Sequence, residues 1–552
     1  MRFAVVFIAF RRLRAPIITL VLIFAAGITG LVLIPGTEVD GSPWRMSFAE
    51  AFYFMSYTAT TIGFGEIPRA FNAHQRLWVT LLIFASVVGW AYLVASLLAV
   101  ARDNAFRNAI EEARFARGIR RLREPFYLLC GFGETGALVG ANLDRLGRRF
   151  VVVDINPDRI DQLALMDLTQ SVPALCVDAR VPEHLLEAGL SKRECRGVLA
   201  LTNDDQVNLA VAMAVRLLNP ETPVLARAET TAIARNMASF GTDHIVNPFA
   251  RFGTHLALAL AAPASQRLID WLTTPPDQTF VPSKPPPRGH WVVAGYGRFG
   301  REVTQALRAQ ELDVTVIDPD ESSLPGVRAI NGTGTEPEPL RQAGIETAVG
   351  VVAGTDDDIV NLSIAVTAKE MNPNLFTVLR QNTQSSRALF DAFDADITMV
   401  PSQIIANGCL AEIRTPWLTQ LLAEIRARDN AWAAALLERL ARLLGSRTPV
   451  LWRARIDGTW APALLQFLAS GAQVPMDTLL KNPADREQPL PALALGLARG
   501  GVFQALPAAE VALAPGDEVL FAGTALARRE QSAVLFNRHD CAYVLGGKST
   551  GL

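Results

Sequence analysis

Two uncharged apolar runs, Pro16 to Ile34 and Leu77 to Ala101, constrain this chain more than anything else in it. Each is long enough to cross a bilayer as a helix, the second with tilt. Arg2, Arg11, Arg12 and Arg14 precede the first run, and Arg102, Arg107, Arg114, Arg117, Arg120, Arg121 and Arg123 follow the second. The connection between the runs carries few basic residues, so the positive-inside rule puts both termini in the cytoplasm. The first run is too long for a cleaved signal peptide and shows no small-residue cleavage pattern. No Arg-rich span precedes the pair, which excludes a voltage sensor.

Between the runs, Phe48 to Tyr57 predicts a half-helix that enters from outside and ends inward; its boundary is set at 48–58. Thr58-Ala59-Thr60-Thr61-Ile62-Gly63-Phe64-Gly65-Glu66 follows it. Non-helical backbone at membrane depth is tolerated only where it is buried in protein or lines a water-filled path. In extended form, Thr60, Thr61, Ile62, Gly63, Phe64 and Gly65 offer a hydroxyl and successive carbonyls that can replace the water around a cation. The glycines permit backbone angles that a β-carbon opposes. The negative end of the half-helix favours a cation. Phe52, Tyr53, Phe54 and Tyr57 are expected to pack around the segment. The alternative is a glycine turn after a buried helix.

The segment resembles the potassium-channel signature T-V-G-Y-G-D, with Ile for Val, Phe for Tyr and Glu for Asp. That resemblance implies a selectivity filter at 60–65 holding K⁺, with Glu66 at the outer mouth. It implies four copies around one axis, hence a homotetramer in the lipid bilayer of the cell (inner) membrane. The second span then lines the pore and the first faces lipid. Gly89 is either a hinge in the lining helix or a point of close packing. In related channels the hinge glycine is often about one turn nearer the filter, where this chain has Ala85.

The 552 residues are too many for one ordinary domain, and only the first hundred or so are membrane-like. The net charge of −2 suggests no nucleic-acid partner. The basic cluster from Arg102 to Arg123 marks the inner membrane face instead. Five scattered cysteines fit reduced cytoplasmic thiols, and the six histidines do not cluster with them as a zinc site would need.

The remainder is a repeat. Phe126 to Cys130 is an apolar strand followed by Gly131-Phe132-Gly133-Glu134-Thr135-Gly136, a helical run, and a second strand ending at Asp154. Trp291 to Ala294 is followed by Gly295-Tyr296-Gly297-Arg298-Phe299-Gly300, a helix, and a strand ending at Asp318. Asn203-Asp204-Asp205 matches Asp356-Asp357-Asp358, Asn208 matches Asn361, Arg227 matches Arg380, and Pro248 matches Pro401. One G-x-G-x-x-G is weak; two inside matching repeats predict tandem Rossmann-like domains.

Behind a two-span pore, these repeats resemble regulator-of-K⁺-conductance (RCK, TrkA-N-like) domains. The expected fold class is an α-helical two-span membrane pore plus α/β cytoplasmic tandem Rossmann-like domains and a small α+β C-terminal lobe. Expected boundaries are 1–101 for the pore domain, 102–124 for a linker helix, 125–273 for the first RCK domain and 274–288 for a proline-rich linker. The second RCK domain is set at 289–446 and the lobe with its tail at 447–552. The resemblance implies that four chains bring eight RCK domains into a gating ring.

The ligand suggested by the glycine turns is a small molecule, NAD or an ADP-type adenine nucleotide. Gly131, Gly133, Glu134, Thr135 and Gly136, and Gly295, Gly297, Arg298, Phe299 and Gly300, would surround its phosphates at two helix N-termini. Asp154 and Asp318 would accept ribose hydroxyls, and Asp178 would lie near an adenine. The alternative at each turn is a Rossmann loop kept for packing. Arg227 and Arg380 reach either phosphate or an inter-repeat ion pair. Calcium is the second ligand: calcium-gated family members use carboxylates near Asp204 and Glu229, although a third family acid falls on Arg227 here. The acid runs otherwise serve as solvated loop ends or helix caps. No separate substrate domain carries a His, Lys or Tyr acid–base set, so the chain is not expected to be an enzyme. The rivals to a K⁺-selective, ligand-gated channel are a calcium-gated channel of the same plan, a weakly selective cation channel, and a membrane-anchored regulatory subunit without a pore.

Overall fold

The computed structural model describes residues 2–37, 42–67, 69–102, 104–274, 276–320, 326–414 and 416–546. Residues 547–552 of the expected tail lie outside the described residues. The chain divides into two units, Met1–Arg123 with Pro173–Leu175, and Glu124–Val172 with Cys176–Leu552.

The first unit contains four helices: α1 (Arg2–Leu33), α2 (Phe48–Ala59), α3 (Ala73–Arg102) and α4 (Asn104–Arg121). Leu13–Leu33 and Ala73–Arg102 are long and apolar enough to cross a membrane. Apolar side chains such as Val21, Leu22, Phe84 and Val88 are exposed along α1 and α3. This outer face is costly in water and natural in lipid or against another copy. Inside, Ile28, Leu31, Phe54, Met55, Tyr57, Phe71 and Leu82 form one apolar core. Glycines let the spans close on it. A β-carbon on Gly30 would fall 2.2 Å from the Trp78 ring, and one on Gly27 would fall 2.7 Å from Met55 Cε.

Among the described residues after 124, two six-stranded sheets form. In the first, β1 (Phe126–Cys130), β2 (Arg149–Asp154), β3 (Ala174–Cys176), β4 (Cys195–Ala200), β5 (Val224–Arg227) and β6 (His244–Val246) lie in the order β3-β2-β1-β4-β5-β6. In the second, β7 (Trp291–Ala294), β8 (Val314–Ile317), β9 (Arg328–Ile330), β10 (Gly350–Ala353), β11 (Phe376–Arg380) and β12 (Ile397–Met399) lie in the order β9-β8-β7-β10-β11-β12. The second sheet is parallel throughout. Its inner strands β7, β8 and β10 are buried along their whole length, as a parallel sheet covered on both faces requires. Both orders reverse beside the glycine turn, where a doubly wound sheet opens a crevice.

The two copies exchange helices. Helix Pro248–Ala261 of the first copy packs on Arg298–Ala309 of the second, and Pro401–Arg414 of the second packs on Glu134–Arg145 of the first. Three helices follow the second sheet, Pro401–Arg414, Pro416–Ala427 and Asn430–Leu444. Proline cannot continue the hydrogen-bond ladder at 416, and the Asp429 carboxylate caps the third helix through Trp432 N. The lobe that follows is a four-stranded antiparallel sheet, β13 (Val450–Arg455), β14 (Ala492–Arg499), β15 (Val502–Ala505) and β16 (Glu518–Gly523), in the order β13-β16-β14-β15.

Candidate functional site

The first candidate site starts with how α2 begins. Ser47 and Glu50 form a capping box: Ser47 N donates to Glu50 Oε2 at 2.8 Å, and Glu50 N donates to Ser47 Oγ at 3.3 Å. Ser-x-x-Glu ahead of an apolar run was the available sequence signal. The helix ends at Ala59, and the chain then turns back on it. Ile62 N and Gly63 N donate to Tyr57 O at 2.9 and 3.4 Å.

Thr61, Gly63 and Gly65 have φ of 64°, 69° and 92°, whereas Ile62 and Phe64 are not among the positive-φ residues. Alternation between left- and right-handed backbone turns successive carbonyls towards one side, which a strand does not do. Glycine makes this easy at 63 and 65; Thr61 adopts it at a steric cost. Thr60 Oγ1 donates to Ser56 O at 2.7 Å, so it is anchored to α2. Tyr57 Oη donates to Gly65 O at 2.7 Å. Phe64 meets the Tyr57 ring edge-on at 5.4 Å. Glu66 accepts Arg76 Nε at 2.8 Å, Arg76 Nη2 at 3.1 Å and Phe71 N at 2.8 Å. Its charge is therefore shared with an arginine rather than left free at the end of the segment.

α3 runs unbroken through Gly89, and a β-carbon there would stand 2.8 Å from Ile23 Cδ1. Gly89 thus stands at a close approach to α1, the packing role named beside the hinge.

The two glycine turns share one construction. A β-carbon on Gly131 would meet Thr202 N at 2.8 Å, and one on Gly295 would meet Thr355 N at 3.1 Å. On Gly136 and Gly300 it would meet the carbonyl oxygens of Gly131 and Gly295 at 2.2 and 1.9 Å. The middle glycines, Gly133 and Gly297, face open space and cap their helices without any side-chain bond. The first-turn amides that follow them are available to an anion. Of the other residues expected here, Thr135 is buried. The Phe299 side chain is fully buried in the core, 5.3 Å from the Phe252 ring, so only its first-turn amide is left to serve a ligand.

Asp154 and Asp318 end their strands beside these turns and brace them. Asp154 accepts Phe132 N at 2.5 Å and Asn156 N at 2.8 Å, and Asp318 accepts Tyr296 N at 2.6 Å and Asp320 N at 2.9 Å. Asp178 is paired with Arg180, whose Nη2 lies 2.7 Å from Oδ2. The Arg180 hydrogen bonds hold its carboxyl below the usual range.

The charged residues nearest the second turn are joined into one network. Glu229, buried, is bonded closely to both Arg227 and Arg298. Asp356 Oδ1 lies 2.6 Å from Arg380 Nη1 and 4.0 Å from Arg298 Nη2. The Arg380 and Arg298 guanidiniums lie 4.8 and 5.8 Å from the centre of the Phe249 ring, in cation–π range. Burial draws the Arg380 pKa down, against the pull of Asp356. Three guanidiniums thus face two carboxylates. Of the two roles open to Arg227 and Arg380, Arg227 takes part in the inter-repeat ion pairing through Glu229. Phe249 had no distinguishing signal in the sequence. In the first copy the place of Arg298 is held by Glu134, which accepts Gln384 N of the second copy at 3.0 Å.

This network corrects the calcium reading. Glu229 is already neutralised by two arginines, and Asp204 is the cap of helix Asp205–Leu218, accepting Gln206 N at 2.8 Å. Asp357 caps its own helix in the same way, and Asp358 holds the loop that follows β11. Among the described residues no three His, Cys, Asp or Glu side chains come together as metal ligands.

Comparison with known proteins agrees with both halves. The ion-channel domain family matches residues 17–103, and the TrkA-N domain family matches 127–248 and 291–401. "Potassium channel protein 1" of Methanocaldococcus jannaschii is 24% identical over 213 residues, covering 38% of this chain and 61% of that protein. A "Trk system potassium uptake protein TrkA homolog" of Pyrococcus horikoshii is 28% identical over 142 residues, covering 24% of this chain and 62% of that protein. The chain thus spans less than two thirds of the length of these curated relatives. The solved structure "GsuK channel bound to NAD" aligns over 96% of this chain and all of its own, at 16% identity and a TM-score of 0.47. The chain thus carries an ion-channel match at 17–103 ahead of two TrkA-N matches, the order expected of a two-span channel with tandem RCK domains.

Proposed function

We propose that four copies of this chain form a potassium channel in the cell membrane, gated by a nucleotide at the cytoplasmic RCK domains. The observation that carries this reading is the alternating backbone at Thr61, Gly63 and Gly65, directly after a capped half-helix and between two spans. Such a backbone offers a ladder of carbonyl oxygens, and a single ladder cannot surround an ion; four can. K⁺ passes down its gradient without chemistry, and both termini lie in the cytoplasm. The boundaries at 60–65 for the filter, and at 125–273 and 289–446 for the RCK domains, belong to this reading.

An adenine nucleotide such as ADP or NAD suits the glycine turns, because open middle glycines and uncapped amides favour a phosphate. The excess of guanidinium over carboxylate favours the second turn for the more highly charged part of the ligand. Binding can gate the pore only through a difference in affinity between open and closed arrangements.

The test is K⁺ flux through the purified full-length protein in liposomes, with and without NAD, ADP and Ca²⁺. Gly133→Val and Gly297→Val are the informative variants: each side chain enters open space at an extended backbone angle, so folding is retained while the phosphate position is blocked. Selective flux that responds to a nucleotide, with the response lost in one variant, is the expected result. Flux without K⁺ preference would favour a weakly selective cation channel. No flux under any condition would favour a regulatory subunit without a pore. Ca²⁺ is expected to have no effect, because Glu229 is already paired.

A further inference from the structure

Tyr57 touches the Thr60–Gly65 segment at its middle and at its far end. Its backbone carbonyl receives Ile62 N and Gly63 N, and its hydroxyl donates to Gly65 O at 2.7 Å. The side chain is 3% exposed, held edge-on between Phe54 at 5.2 Å, Tyr53 at 5.3 Å and Phe64 at 5.4 Å. A phenol gripped on three sides has little freedom to choose another acceptor. Phe64, the aromatic of the segment itself, has no hydroxyl with which to fasten its own backbone. One residue further on, Glu66 is tied to Arg76 and to Phe71 N. The last peptide of the segment is therefore held at its carbonyl by α2 and at its far side by α3.

On the reading that this segment is a potassium filter, we infer that the Tyr57 hydroxyl is the positioning group for the outermost ring of carbonyl oxygens. A carbonyl oxygen has two lone pairs, and one of Gly65 is committed to Tyr57. The direction of that oxygen, and the share of its charge left for an ion, then depend on a phenol that never touches the ion. Selection between K⁺ and Na⁺ rests on the number and field of such oxygens, so it is sensitive to this bond. The sequence pattern shows the tyrosine but not the bond, because eight residues and a chain reversal separate donor from acceptor.

The test uses the full-length chain in liposomes and measures the K⁺-to-Na⁺ permeability ratio and the dependence of flux on external K⁺. Tyr57→Phe keeps the ring and removes only the donor. The ratio is expected to fall about threefold to tenfold, the range set by one hydrogen bond, with the external-K⁺ dependence displaced and the nucleotide response retained. Replacing Tyr57 by a fluorinated tyrosine strengthens the donor at nearly constant shape, and the ratio is expected to move in the opposite direction. That graded response separates positioning from packing and keeps the proposal testable should the phenylalanine variant fail to assemble. A conducting, selective wild type with unchanged ratio and external-K⁺ dependence in the substituted proteins overturns the role of Tyr57 alone. A wild type without selective flux overturns the filter reading and this inference with it.

Discussion

Glu66 follows the Thr60–Gly65 segment with its carboxylate shared between Arg76 and the Phe71 amide, and the pair is partly exposed to solvent. An exposed pair contributes little to stability. Its larger consequence is electrostatic, since it cancels a negative charge where K⁺ would enter. Arg76→Gln is expected to raise K⁺ flux at low salt, with the gain fading above about 0.1 M salt as screening sets in. Asp358 is a residue of another kind. Burial raises the cost of its charge, but hydrogen bonds from Asn382 N, Thr383 N and Thr383 Oγ1 outweigh that and hold its pKa below the usual value. A depressed carboxylate contributes stability above its unfolded pKa of about 3.9 and loses it as pH falls through the lower folded value. Asp358→Asn is expected to cost about 1–3 kcal/mol at pH 7, and the gap from wild type should shrink below about pH 4 in thermal unfolding. Sequence reading found Asp356, Asp357 and Asp358 but not their division of labour. One pairs Arg380, one caps a helix and one braces a loop. Adjacent acids of equal propensity are told apart only by which neighbours the fold brings to each.

At the scale of elements, the spans were legible because membrane helices are defined by length and composition. How they meet was not, since a glycine in an apolar helix is equally suited to a hinge and to close approach. In the structure Gly30 and Gly89 stand at close approaches, to Trp78 and Ile23. Gly30→Ala is expected to destabilise the pore unit by about 1–3 kcal/mol, because the indole has to leave its place. A lowered midpoint of thermal unfolding in detergent would register this. In the same way the repeat marked both glycine turns, while only packing revealed that Phe299 is core and that Asp154 and Asp318 support the turns they follow.

Across the second unit, the decisive feature is the reciprocal exchange of helices between the RCK copies. It carries Glu229 of the first copy to Arg298 at the glycine turn of the second. A ligand phosphate at that turn competes with Glu229 for the same guanidinium, which links binding to the contact between copies. Glu229→Gln leaves Arg227 and Arg298 without their carboxylate and is expected to cost about 3–5 kcal/mol. The same change should tighten nucleotide binding at the second turn. Calorimetry with ADP, beside thermal unfolding, separates the two effects: weaker binding in the variant would count against a phosphate at this turn. The sequence by itself determined the two spans, the glycine-bearing segment between them and the paired Rossmann turns. Each is written in short-range pattern: run length, glycine spacing and apolar strands. Only the tertiary structure decided that Tyr57 holds Gly65, that Arg76 neutralises Glu66 and that Glu229 sits between two arginines. Those pairings join residues through chain reversals and helix exchange, and the physical reason they escape sequence reading is that charge and hydrogen bonding act through space rather than along the chain.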